Sequence, residues 1–100
     1  MNNQTIINNK RTVVRALEMF VEFIYANDLT GEEDADYFNR AASLTVEAEA
    51  LRKKVLSEQW LEDSEITMLE TMLTCVLTQL NSDMIYSTQF LLDLRAILKF

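Results

Sequence analysis

No proline occurs anywhere in this 100-residue chain, and glycine occurs once, at Gly31. Hairpins and sandwiches need turn-forming residues at every strand reversal, and Gly and Pro supply most of them. Long helices joined by a few short connections need almost none. The chain therefore reads as all-α. Its 49% hydrophobic and 25% charged content is that of a packed core with a solvated surface, not of a disordered segment. The length suits one helical domain over residues 1–100.

Apolar periodicity predicts four helices, at about 4–27, 31–57, 63–81 and 83–99. In the first, Ile6, Val13, Leu17, Phe20 and Ile24 share a face that Val14 and Val21 widen. Arg11, Arg15, Glu18 and Glu22 line the opposite side. Whether this helix starts near Asn3 or near Asn8 is left open by the pattern. In the second, Tyr37, Ala41, Leu44, Ala48, Leu51 and Val55 alternate four- and three-residue steps, a heptad seam with large and small residues in turn. Ile66, Leu69, Leu73, Val76 and Leu80 make the stripe of the third; Phe90, Leu91, Leu94, Ile97 and Leu98 make that of the fourth. Asp63 or Ser64 is expected to cap the third helix, Ser82 or Asp83 the fourth, and Trp60 to plug the end of the bundle. Three short joints favour antiparallel neighbours, so the expected architecture is an antiparallel up-down four-helix bundle.

The segment DLTGEEDADYF, 28–38, concentrates five carboxylates. Thr30 and Glu33 have capping-box spacing, and acidic side chains in a first turn complement the helix dipole. A calcium loop starting at Asp28 would need glycine sixth and glutamate twelfth; Gly31 is fourth and Asn39 twelfth. The segment is thus read as a helix start. Asp28, Glu32, Glu33 and Asp36 are kept as a candidate acidic docking patch.

Charge is spread unevenly. The last thirty residues carry only Asp83, Asp93, Arg95 and Lys99, against nine Lys and Arg and sixteen Asp and Glu in the whole chain. On the third helix Thr67, Thr71, Thr74 and Thr78 project as one neutral strip opposite the core stripe, with Met68, Met72 and Cys75 beside it. The fourth helix has a second apolar line, Ile85, Leu92 and Ala96. Such surplus resembles an interface, depleted in charge and enriched in adaptable methionine. Met68, Thr71, Met72, Thr78, Ile85 and Leu92 are the candidate partner or homodimer contacts.

Histidine is absent, which removes the commonest general base and the Ser–His, Cys–His and most zinc systems. One glycine cannot build a phosphate loop. Cys75 is read as a small packing residue. No enzyme, cofactor, metal site or small-molecule substrate is expected. A net charge of −7 disfavours direct nucleic-acid binding and anionic membranes. The N-terminal residues lack the apolar run of a signal peptide, and no stretch reaches the ~20 residues of a membrane span, so a reducing cytoplasm is expected. The expected function is a non-catalytic helical regulator, adaptor or inhibitor acting by protein contact. Small counter-defence proteins of bacteria and phages share that architecture, an analogy from fold alone. The alternative is an acidic nucleic-acid mimic, whose binding would fall steeply with salt.

Overall fold

The computed structural model describes residues 1–28, 35–83 and 88–99, and their side chains apart from 27, 28, 35–39, 81–83 and 88. All regular structure among them is helical: α1 (Asn3–Asn8), α2 (Lys10–Asp28), α3 (Ala35–Leu56), α4 (Asp63–Asp83) and α5 (Thr88–Leu98). The expected capping box at Thr30 and Glu33 lies outside the described residues, as does the Tyr37 side chain at the end of the seam. Ser82 and Asp83, expected to cap a fourth helix over 83–99, are instead the last residues of α4, and α5 begins at Thr88.

The expected first helix is two. Asn2 caps α1, its Oδ1 accepting from the Thr5 N–H at 2.9 Å. Asn9 then leaves helical geometry at φ −118°, ψ 30°. Its side-chain Nδ2 donates to the Thr5 carbonyl at 2.9 Å, competing with the backbone for that acceptor. The ladder resumes at once, with Val13 N–H on the Asn9 carbonyl at 3.0 Å. A short-range side-chain bond thus makes a joint where periodicity runs straight through.

α2 is the hub, packing against α1, α3, α4 and α5, while α3 meets α4 and α4 meets α5. Its buried positions are Val13, Ala16, Leu17, Met19 and Phe20, a stripe wide enough to serve several neighbours. One core cluster gathers residues from all five helices. Ala41, Ala48, Leu51 and Val55 of the α3 seam are buried, whereas Leu44 on the same seam is exposed. On α4 the core stripe widens to take in Met72 and Leu77. The radius of gyration is 13.7 Å, close to the ~13 Å of a 100-residue globule. The shortest dimension, 19 Å, is about two helix diameters.

The joint between α3 and α4, residues 57–62, is closely bonded. Gln59 N–H reaches the Lys54 carbonyl at 2.9 Å and Glu58 N–H the Val55 carbonyl at 3.1 Å. Glu58 sits at φ 58°. This is a Schellman ending, normally built on glycine; a side chain there costs about 1–2 kcal/mol. Glu58 also pairs with Lys10 at 3.5 Å. The cap of α4 is not Asp63 or Ser64 but Glu62, whose N–H donates to Glu65 Oε1 at 3.1 Å while its carbonyl accepts from Ile66. Glu65 is therefore the third-position half of a capping box whose cap residue has no hydroxyl. The other Glu65 oxygen pairs with Lys54 across the joint.

Trp60 does not plug the bundle. It is 70% exposed, and Leu61 takes the interior place. Asn3, the one buried polar residue among the described residues, fixes that choice: its Nδ2 donates to the Leu61 carbonyl at 2.9 Å and its Oδ1 accepts from the Leu61 N–H at 2.7 Å. A single amide therefore satisfies both backbone groups of a buried residue 58 positions away.

Candidate functional site

An apolar cleft of about 590 Å³ is floored by α2 and walled by α3 and α4. α2 contributes Phe20, Phe23 and Ile24, and α3 contributes Leu44 and Glu47. The α4 wall runs from Ser64 through Thr67, Met68, Thr71, Met72 and Cys75 to Gln79. At 1.5 Å per residue that wall is about 22 Å long, or four helical turns. Among the described residues Glu47 is the only charged side chain lining it. Arg40, in a smaller depression on Ile24 and Leu44, has a partner of its own.

The threonines of the wall are chemically quiet. Thr67 Oγ1 donates to the Asp63 carbonyl at 3.1 Å, and Thr71 Oγ1 to the Thr67 carbonyl at 3.0 Å. Thr74, on α4 beside the wall, does the same toward the Glu70 carbonyl at 2.7 Å. Each hydroxyl proton is thus held by the preceding turn of its own helix.

The six expected contact residues fall in three places. Met68, Thr71 and Met72 come together on the cleft wall. Thr78 is exposed on α4 and Leu92 is 52% exposed on α5, neither lining the cleft. Ile85 lies outside the described residues, as do Glu32 and Glu33 and the side chains of Asp28 and Asp36 in the candidate acidic patch. Two placements differ from expectation. Met72 belongs to the core, at 2% exposure, and borders the cleft only as a buried part of its α4 wall. α4 is covered on more than one side, so a residue flanking its main stripe is still inside. Cys75, expected to pack, is exposed.

Phe23, Leu44 and Glu47 were not anticipated as site residues. The sequence signal was the F-x-x-F-I run on α2 (20–24), which holds more aromatic surface than one seam can cover.

Elsewhere the acidic joint is partly neutralised, since Glu58 pairs with Lys10 and Glu65 with Lys54. The Lys54 ammonium, helped by the Glu62 N–H and opposed by burial, holds the Glu65 carboxyl below its ordinary value of 4.5. Among the described residues no three acidic or cysteine side chains cluster as metal ligands, and no helix is long and apolar enough to cross a membrane. No family model, curated protein or solved structure matches the chain.

Proposed function

We propose that this protein is a non-catalytic protein-binding module, a small helical regulator, adaptor or inhibitor that acts by occupying a surface of another protein. The observation that carries this reading is the cleft: an open apolar trough four turns long, with one charged side chain among the described residues that line it, on a chain of net charge −7. Concave apolar troughs between helices suit an amphipathic helix laid in by its apolar face. Met68, Thr71 and Leu44 form the accessible contacts; Thr78 and Leu92 extend the neutral surface. The partner is a different protein or a second copy of this chain. The whole chain is read as one domain acting in the cytoplasm, with α2 to α5 running up and down in turn.

The test uses Thr67→Arg and Thr71→Arg, two exposed positions on the cleft wall, beside the wild type. Solution mass and binding to a purified interactor are measured for each. Both variants are expected to fold normally and to lose the complex, whether dimer or hetero-complex. A wild type that is monomeric and whose interactors bind both variants undiminished would remove the reading. Binding that collapses between low and moderate salt would favour acidic mimicry instead.

A further inference from the structure

We propose that the 57–62 joint is a second, preformed docking element, in which Trp60 enters an apolar pocket bordered by Lys or Arg side chains on a partner protein. This does not rest on the cleft; it rests on four features of the joint itself.

The first is exposure. Trp60 is 70% exposed, and Leu56, four residues earlier on α3, is exposed beside it in sequence. Leu61 shows that an inward position is available in this joint, one residue along.

The second is rigidity. The joint is bonded on both flanks: by the Schellman pair at Glu58 and Gln59, and by the Glu62–Glu65 box. Between them Asn3 grips Leu61 through both of its amide groups. An aromatic anchor held this way loses little freedom on binding, and tryptophan is the residue most enriched where interface energy concentrates.

The third is backbone strain. Glu58 holds a left-handed conformation that glycine would adopt freely. Non-glycine residues kept in that region cluster at functional sites.

The fourth is charge. Glu58 and Glu65 are neutralised by Lys10 and Lys54. Glu62 and Asp63 are exposed, and neither has an ion pair among the described residues. Two carboxylates without counter-ions therefore stand two and three residues after the indole, and a basic rim is their complement. The same carboxylates oppose an anionic membrane surface, which favours a protein partner over lipid.

The experiment places a photoreactive phenylalanine at position 60 of the full chain, with position 46 on α3 as an exposed control, in cells that naturally make the protein. The protein captured from position 60 is then purified and titrated against three forms: wild type, Trp60→Ala, and Glu62→Lys with Asp63→Lys. Affinities are read by isothermal titration calorimetry, because Trp60→Ala removes the one tryptophan of the chain; in the wild type its emission shift is followed in parallel. We expect a basic protein captured from 60 and not from 46. Trp60→Ala is expected to weaken it by at least about 30-fold, the loss that marks an interface hot spot. The charge reversal is expected to weaken it about tenfold and to flatten its salt dependence. Circular dichroism melts should match wild type for Trp60→Ala, whose side chain faces solvent, and fall by several degrees for the charge reversal, which sets two cations at the positive end of α4; binding is therefore compared at a temperature where all three forms are folded. The proposal is overturned by any of five results: no capture at 60, the same proteins from 46, a second copy of this chain, an effect of Trp60→Ala within threefold, or a charge reversal without effect. A Trp60 emission shift on zwitterionic vesicles alone would also overturn it, in favour of a lipid surface.

Discussion

Replacing Asn3 by alanine should cost far more than its place near the chain's start suggests. Its amide is 7% exposed and makes two hydrogen bonds, at 2.7 and 2.9 Å, to both backbone groups of Leu61. Alanine leaves an N–H and a carbonyl buried without partners, at about 1–3 kcal/mol each. Water entering the vacated space recovers part, and the better helix propensity of alanine returns about 0.5 kcal/mol. The expected net loss is about 2–4 kcal/mol, a large share of a total stability of about 5–15 kcal/mol. At about 4–8 °C per kcal/mol for a domain of this size, the melting temperature should fall by roughly 10–25 °C. Asn3→Asp should do no better, because it keeps the acceptor for the Leu61 N–H but sets an oxygen against the Leu61 carbonyl. Asn2→Ala, which removes only the cap of a six-residue helix, is the local control at about 1 kcal/mol. Urea titrations at neutral pH measure all three. An Asn3→Ala loss under about 0.5 kcal/mol would refute the claim that this amide holds the α3–α4 joint.

Glu58→Gly should stabilise the fold by a few tenths to about 1 kcal/mol, because relief of the left-handed strain outweighs the exposed Lys10 pair and the looser unfolded chain; a lowered urea midpoint would contradict it. Glu65 has a folded pKa below its ordinary 4.5, so its contribution is full above that value and lost as pH falls through the lower folded one. Stability measured from neutral pH down through this range should therefore decline less steeply in Glu65→Gln than in wild type, and equal slopes would count against the Lys54 contact. Met72→Asp should unfold the protein, since it puts a carboxylate into the core, while Thr71→Asp should melt within a few degrees of wild type. Cys75 should react with a thiol reagent in the folded protein at close to one equivalent, and protection until denaturation would show it to be covered.

The helices were legible because their signals are local. The α2 stripe and the Leu69–Leu73–Val76–Leu80 set of α4 recur at intervals that a helix turns to one side, and those residues are buried. What depends on distant partners was not legible. Nothing near Leu61 announces that an asparagine 58 residues away will hold its backbone, so the sequence carries no sign that Leu61 and not Trp60 turns inward. Nothing in the α4 spacing tells how many sides of that helix are covered, so Met72 was placed too far out and Cys75 too far in. The break at Asn9 is a local event of another kind, a side chain outcompeting the backbone, which hydrophobic spacing does not register. Half of the expected contact set, Met68, Thr71 and Met72, does converge on one trough, but its other walls come from α2 and α3, whose approach no single-helix projection contains.

Thr67, Thr71 and Thr74 of α4 look hydrophilic by composition, yet their hydroxyl hydrogens are already committed to carbonyls of the same helix. A molecule settling against this wall meets methyl groups and has few hydrogen bonds to strip from it. Thr71→Val should therefore leave association nearly unchanged, and Thr71→Ser, which keeps the oxygen and deletes the methyl, should weaken it. The wall behaves as hydrocarbon toward a partner while still offering water enough oxygen to stay dissolved alone.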